Sequence, residues 1–300
     1  MPVTERIGLP RQIIGNMTLA GWRHAPHAGF IYEADVTEML ETLREINAGR
    51  SAEDAITVNT VMLKIIAEGI RACPRMNGHI RFSELLARGR VTTFEQIDVT
   101  VPVMLDERTL VALNLHGLER KSITEIHDGM KDLIRRAKNS NLQQTLYELA
   151  LYDTLQMMKR GQVFHALGRM IGFYLMDGGL KTLLHGAEKR AYRAIPATER
   201  LTRRDVEQGT VTVTNPGSVY RRVNGVAVTL NLVPPQIAQV AINTVRERAL
   251  VREDGTIAAG RTITLTIIID HRALDAADLA PFTERVEEIM RAPEVLKDWV

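Results

Sequence analysis

The stretch TITLTIIIDHRALDAADLAPF, residues 262–282, combines a strand, a polar turn and the start of a helix. Its first eight residues largely alternate threonine with large aliphatic side chains, the period-two pattern of a half-buried strand. The polar triplet Asp270-His271-Arg272 follows, and an apolar stripe at helical spacing then runs from Leu279 to Ile289. Pro281 must lie near the start of that helix, where its missing N–H costs nothing, or bend the helix. The segment predicts a rigid strand whose end presents a histidine in an exposed loop.

Other predicted helices and strands are mixed along the chain without strict alternation. Residues 36–48 and 57–72 carry apolar residues at helical spacing, and Pro74 ends the second helix. Period-two segments predict strands at 29–35, 97–103, 210–214 and 238–245, with Pro102 indicating an edge strand or a bulge. This order favours an α/β (α+β) domain, a mixed β-sheet with flanking helices, over a doubly wound fold.

The region 142–192 differs from the rest because it reads as three consecutive helices. Apolar stripes run over 142–149, 163–174 and 180–187, separated by glycines. The region holds six of the chain's twelve Phe and Tyr residues, namely Tyr147, Tyr152, Phe164, Phe173, Tyr174 and Tyr192. One interpretation is a helical subdomain with its own small core. The other is a set of apolar walls for a substrate site or a membrane-facing surface.

Composition narrows the class of protein. The 300 residues include 38 basic and 36 acidic side chains, a formal charge of +2, and no basic tail that would indicate a nucleic-acid partner. The single cysteine, Cys73, excludes an internal disulfide and a cysteine-cluster metal site, and it reads as a packing residue. His24 and His27 lack further ligands nearby, so we expect no metal. The N-terminus has no apolar leader, which predicts a cytoplasmic protein.

The side chains that carry chemistry follow the strand at 262–269. An imidazole titrates near neutrality and accepts a proton from a thiol or hydroxyl, so His271 is a candidate general base. Asp275 follows four residues later. The spacing alone is weak evidence, because a buried structural histidine and an aspartate that caps the next helix would look the same.

The surrounding residues resemble the Asp-His-Arg-x-x-Asp-Gly signature of the chloramphenicol acetyltransferase and dihydrolipoamide acyltransferase superfamily. Asp270, His271, Arg272 and Asp275 match it, and Ala276 replaces the family's Gly. Further segments resemble family motifs in family order: RIGLPRQIIG (6–15), HAPHAGFIYEADVTEMLETLR (24–44), CPRMNGHI (73–80), GTVTVTNPG (209–217) and NLVPPQIAQVAI (231–242). The chain thus resembles the catalytic domain of 2-oxo acid dehydrogenase dihydrolipoamide acyltransferases.

This resemblance implies roles for individual residues. His271 would be the general base, and Thr214 would stabilise the oxyanion, although alternating threonines also suit an ordinary half-exposed strand. Asp275 would hold the catalytic loop by pairing with Arg11 from the N-terminal helix. The resemblance further implies that Arg272 is a second arginine of the structural pair and that Asn215 and Gly217 bind substrate.

The resemblance also implies a reaction and an assembly. We expect an acyl group to move from acyl-CoA, the co-substrate, to a thiol, hydroxyl or amine acceptor. We expect a homotrimer with active sites between subunits, with a larger cage as one possible assembly. Residues 1–300 would form a single catalytic domain in which 142–192 is a helical insertion, either covering the site or contacting a membrane.

Two features leave alternatives open. No lipoyl-lysine arm precedes the core, so the acyl group would go to a separate lipoyl or acyl carrier protein or to a different acceptor. Pro216 and Ala276 depart from the family's Leu and Gly. The alternative function is a catalytically silent trimeric scaffold or docking protein of a multienzyme assembly.

Overall fold

The computed structural model describes residues 9–106, 109–159, 167–168, 183–220, 223, 225–252 and 254–300. The chain divides into two compact units. The first comprises Met1–Asn16, Val103–Asn114 and Lys131–Gln208, and the second comprises Met17–Pro102, Leu115–Met130 and Gly209–Val300. The predicted helical stripe at 163–174 falls almost wholly outside the described residues.

Within the described residues, seven strands form one mixed β-sheet. The strands are β1 His27–Asp35, β4 Val99–Met104, β5 Leu110–Leu115, β6 Val211–Thr214, β7 Ala238–Ile242, β8 Arg246–Val251 and β9 Ile257–Asp270. Their order is β1-β9-β7-β6-β4-β5, and β8 also pairs with β9. β9 runs antiparallel to β1, β7 and β8, whereas β6 is parallel to β4 and β7. The predicted mixed sheet is confirmed.

A separate hairpin and several helices complete the described fold. Strands β2 Gly78–Ser83 and β3 Arg88–Thr93 form the hairpin. The helices are α1 Leu9–His24, α2 Thr37–Ile46, α3 Val58–Ala72, α4 Ile123–Lys138, α5 Leu142–Lys159, α6 Gly186–Ala194, α7 Arg203–Val206, α8 Pro216–Val219 and α9 Ala280–Arg291.

The hydrophobic core of the second unit lies where α3 and α9 pack together. Phe282 of α9 is fully buried, and Gly69 of α3 makes room for it. A methyl group added at Gly69 would lie 2.7 Å from a ring carbon of Phe282, so only glycine permits this helix approach. Pro281 falls in the first turn of α9, as predicted from its missing N–H.

The sheet also buries polar side chains, and several of them form hydrogen bonds. The Thr212 hydroxyl donates to Oε1 of Gln236 at 2.7 Å, and the Thr266 hydroxyl donates to the Ala227 carbonyl at 2.5 Å. Asn243 Nδ2 donates to the Thr264 carbonyl at 2.9 Å. Because buried polar groups cost free energy when unpaired, these bonds hold the segment around 227–236 to the sheet.

Three predicted elements require correction. β7 ends at Ile242 rather than at residue 245, because Asn243 turns its side-chain amide onto the β9 backbone. β4 lies between β6 and β5, so Pro102 is not on an edge strand of the sheet, and the alternative of a bulge at Pro102 stays a prediction. The β4–β6 ladder pairs only Val99 and Thr100, which leaves Pro102 beyond it. Of the helix predicted over 180–187, residues 180–182 lie outside the described residues, 183–185 are not helical, and a helix begins at Gly186, where φ is +52°.

The first unit is helical around α5, α6 and α7. Arg136 pairs with both carboxylate oxygens of Asp205 at 2.7 and 2.9 Å, and both side chains are largely buried. The hydroxyls of Thr145 and Tyr192 lie 3.0 Å apart and join α5 to α6. Such bidentate and buried contacts fix the relative position of these helices.

Candidate active site

His271 is the first residue after β9, and its backbone is held in a tight turn. The turn is closed by hydrogen bonds from the amides of Ala273 and Leu274 to the Asp270 carbonyl, at 2.9 and 3.1 Å. The His271 amide donates to the carbonyl of Pro26 at 2.9 Å, just before β1. These hydrogen bonds hold the His271 backbone in place at the end of β9, against the start of β1.

The His271 ring is oriented through one nitrogen. Nδ1 lies 3.0 Å from Oδ1 of Asp275 and 3.2 Å from the carbonyl oxygen of Leu274. Both neighbours are hydrogen-bond acceptors, so Nδ1 must carry the proton, and the lone pair of the neutral ring is then on Nε2. The side chain is half exposed, at 52%. This tautomer is the one that a general base needs.

Asp275 occupies the N-cap position of a short 3-10 turn, Ala276–Leu279. Its backbone amide donates to Oδ2 of Asp278 at 2.8 Å. Ala276, which replaces the family's Gly, does not adopt a positive φ, so the replacement introduces no backbone strain at that point. Asp275 therefore both begins the turn and contacts His271.

Arg272 forms a buried ion pair with Asp270. Nε and Nη2 of Arg272 donate to the two carboxylate oxygens at 2.9 and 2.6 Å, and the Arg272 amide donates to Oδ1 at 3.0 Å. Asp270 is 1% exposed. The guanidinium also lies over the ring of Phe82, 5.2 Å from its centroid. This pair locks the turn on both sides of His271.

Arg11 lies in α1 with an exposed side chain, in the first unit. Asp275 belongs to the second unit. The pairing of Arg11 with Asp275 stays a prediction, as do the remaining catalytic and binding roles inferred from the family motifs.

Thr214 is the last residue of β6 and is half-buried. The Thr210 hydroxyl donates to the Asp98 carbonyl at 3.1 Å, and the Thr212 hydroxyl donates to Gln236. The Thr214 hydroxyl has no hydrogen-bond partner among the residues that the structure describes. Of the three alternate threonines, Thr214 is therefore the one available to a ligand.

Asn215 and Gly217, which follow Thr214 in the chain, have structural roles. Asn215 Oδ1 accepts the Ser218 amide at 2.9 Å and so caps α8, and Asn215 Nδ2 donates to Asn59 Oδ1 at 2.9 Å. A methyl group at Gly217 would lie 2.6 Å from the Asn243 carbonyl carbon. Only glycine allows that backbone approach.

The strand register separates Thr214 from His271 within one chain. Thr214 lies beside Ala241 of β7, and Ala241 lies beside Thr266 of β9, five residues before His271. Five residues correspond to about 16 Å along a strand, and two strand spacings must be crossed as well. A single chain therefore does not bring the two predicted catalytic side chains together.

Two contacts of the loop have no signal in local sequence. Arg75, just after α3, forms an ion pair with Asp278 at the end of the Asp275 turn. The Cys73 thiol lies 3.0 Å from the Asp278 carbonyl oxygen, and burial raises its pKa, which suits packing rather than nucleophilic chemistry. Both partners lie about 200 residues away along the chain, so only the folded structure reveals them.

His24 and His27, the other histidines considered as metal ligands, each contact polar groups of the protein. His27 Nδ1 lies 2.6 Å from the Ala25 carbonyl, and the Leu232 amide donates to His27 Nε2 at 3.0 Å. His24 pairs with Glu84. Among the described residues no cluster of three His, Cys, Asp or Glu side chains suits a metal ion.

None of the helices in the described part of the chain has the length and apolar character to cross a membrane.

Comparisons with known proteins give the family. The model of the 2-oxoacid dehydrogenases acyltransferase family (catalytic domain) matches residues 4–148 and 188–297. A dihydrolipoyllysine-residue acetyltransferase component of the pyruvate dehydrogenase complex from Zymomonas mobilis is 22% identical over 286 residues, covering 94% of this chain and 48% of that protein. The chain spans about half the length of the curated relatives it matches.

Solved structures share the fold. A probable dihydrolipoamide acetyltransferase from Listeria monocytogenes has a TM-score of 0.67 at 16% identity, covering 97% of this chain and 95% of that chain. The cubic core of the pyruvate dehydrogenase multienzyme complex has a TM-score of 0.66 at 15% identity, covering 98% and 94%. These identities support a statement about fold alone.

The matched ranges cover most of the chain and confirm the family that the motifs predicted. Residues 149–187 lie between the two matched ranges. The predicted division into one domain at 1–300 with an insertion at 142–192 stays a prediction. The chain belongs to the family of 2-oxoacid dehydrogenase acyltransferases and contains the catalytic domain of that family.

Proposed function

We propose that the chain transfers an acyl group between coenzyme A and an acceptor thiol, hydroxyl or amine, with His271 as general base. The observation that carries this proposal is the double contact of His271 Nδ1, which leaves the Nε2 lone pair for a substrate proton. The names of the curated relatives favour a dihydrolipoyl thiol as the acceptor.

In this mechanism Nε2 of His271 takes the proton of the acceptor thiol as its sulfur attacks the thioester carbonyl of acyl-CoA. The imidazolium that forms is stabilised by the Asp275 carboxylate, 3.0 Å from Nδ1, while the Leu274 carbonyl accepts the Nδ1 hydrogen bond. The Thr214 hydroxyl donates to the oxyanion of the tetrahedral intermediate. Collapse of the intermediate breaks the bond to the CoA sulfur, and the CoA thiolate takes the proton back from Nε2. Protons and charge balance over the cycle.

Thr214 and His271 of one chain are too far apart for this mechanism, so we propose that the site forms between subunits. The hydroxyl of one subunit would then face the imidazole of the next, as in a cyclic homotrimer with heterologous interfaces. The fold shared with the cubic core of a multienzyme complex supports further assembly of such trimers into a cage. The acyl carrier would be a lipoyl group on a separate protein or on another part of the polypeptide.

The alternative proposal, a silent scaffold, would not require an oriented imidazole. The organised contacts of His271 and the free hydroxyl of Thr214 favour catalysis over that alternative.

The test is CoA release from a panel of acyl-CoAs, with dihydrolipoamide and simple alcohols and amines as acceptors. We expect His271→Ala to lower turnover by about 10² to 10⁴-fold, the usual contribution of a general base. Thermal unfolding and sedimentation of the variant provide the control for fold and assembly. No turnover by the intact wild-type oligomer with any pair of substrates would favour the scaffold.

A further inference from the structure

Helix α5 exposes an apolar stripe at its C-terminal half. The stripe consists of Leu151, Leu155 and Met158, which are 36%, 49% and 39% exposed. The same side of the helix begins with Gln144, which is fully buried and donates from Nε2 to Oε1 of Glu148 at 2.8 Å. The helix is therefore polar where the protein covers it and apolar where water would contact it, the reverse of the usual pattern.

Cationic side chains border this stripe. Arg203 lies with its guanidinium over the ring of Tyr152, 4.0 Å from the centroid, and Tyr152 is itself exposed next to Leu151. Arg193 of α6 lies 3.4 Å from Glu148, one turn before Leu151. The arginine side chains are 47% and 60% exposed. Arg203 also lies 3.7 Å from Glu207, so each arginine has an acidic neighbour while its own side chain stays partly exposed.

The segment that contains α5, residues 131–208, has a net positive charge, opposite in sign to an anionic phospholipid. Residues 131–208 contain 14 Lys and Arg against 8 Asp and Glu, a formal charge of +6, whereas the whole chain has +2. The rest of the chain is therefore net acidic. Because the cytoplasmic faces of membranes carry anionic phospholipids, this segment is the part of the chain that they would attract.

We propose that the apolar stripe of α5 lies in the interfacial layer of an anionic phospholipid bilayer, with Arg193 and Arg203 among the headgroups. The helix would lie parallel to the surface, since none of the described helices suits a membrane span. The inference does not depend on the proposed acyl transfer. It assigns a task to a region whose aromatic and aliphatic residues the catalytic mechanism does not use.

The test is co-sedimentation of the full chain with vesicles of phosphatidylglycerol and phosphatidylcholine in equal parts, beside vesicles of phosphatidylcholine alone. We expect binding to the anionic vesicles and at least about a tenfold weaker partition for the variant Leu151→Gln/Leu155→Gln/Met158→Gln. Raising the salt from about 0.05 M to about 0.5 M should weaken the wild-type binding, because the Debye length falls severalfold.

A matched control replaces exposed leucines elsewhere. Leu85 and Leu86 in the β2–β3 hairpin are 93% and 66% exposed, and Leu85→Gln/Leu86→Gln should bind vesicles like the wild type. Equal Tm and equal far-ultraviolet circular dichroism in all three proteins would exclude misfolding. Wild-type protein that ignores anionic vesicles, or a stripe variant that binds them like the wild type, overturns the proposal. A stripe variant that instead loses its oligomeric state while still binding vesicles identifies the stripe as a contact between copies and overturns it too.

Discussion

The separation of Thr214 from His271 predicts that two inactive variants restore each other's activity. The register places Thr214 two strands across from Thr266 and Thr266 five residues before His271. A rise of about 3.3 Å per residue and a strand spacing of about 4.8 Å give roughly 19 Å between the Cα atoms of Thr214 and His271. Neither side chain spans that distance, so the proposed mechanism requires each site to take its histidine and its hydroxyl from different subunits.

The variants His271→Ala and Thr214→Val each remove one half of every site. In an equal mixture that assembles at random, a site is intact when a Thr214→Val subunit supplies the histidine and a His271→Ala subunit supplies the hydroxyl. Each condition holds with a probability of about one half, so about a quarter of the wild-type activity should return, for any cyclic oligomer with heterologous interfaces.

The assay is CoA release with dihydrolipoamide as acceptor, measured on variants that are co-expressed in equal amounts and purified through one tag that both carry, so that the random mixture of oligomers is kept. The matched control pairs each single variant with the double variant His271→Ala/Thr214→Val, which supplies neither group. Those mixtures contain no intact site and should stay at the background of the single variants. Activity of the test mixture at that same background would refute a site shared between subunits, and nearly full activity of Thr214→Val alone would refute the role of its hydroxyl.

Two further predictions concern the ion pairs. Arg272→Met leaves the Asp270 carboxylate buried without a cation and should lower the free energy of unfolding, measured by urea denaturation, by about 3–5 kcal/mol. The double variant Asp270→Asn/Arg272→Met should lose much less of that free energy, because no unpaired charge stays buried. Burial would raise the pKa of Asp205, but hydrogen bonds from Arg136 and Thr202 outweigh it and hold that pKa below 3.8. The stabilisation by Asp205 is therefore present above pH 3.8 and is lost as the pH falls below that value. We expect Asp205→Asn to reduce the loss of stability on acidification, measured by urea unfolding at pH values above and below 3.8. A loss as large as that of the wild type would contradict the assignment.

Part of the sheet could be predicted because β6 and residues 262–266 of β9 alternate threonine with apolar residues. β1, β6 and β9 lie close to their predicted positions. The β2–β3 hairpin has no such signature, since all six residues of β3, Arg88–Thr93, are exposed. Likewise, the end of β7 depends on a hydrogen bond from Asn243 to a residue 21 positions away, which no local pattern encodes.

The sequence by itself determined the family, the order of the motifs and the identity of the histidine that follows β9, because these depend on residue types at short spacing. Only the tertiary structure decided which nitrogen of His271 carries the proton, since that choice depends on the geometry of Asp275 and the Leu274 carbonyl around the turn. It also decided the distance from His271 to Thr214, and the exposure of the α5 stripe. Register and exposure arise from contacts between residues far apart in the chain, and such contacts form only when all the packing surfaces are satisfied together.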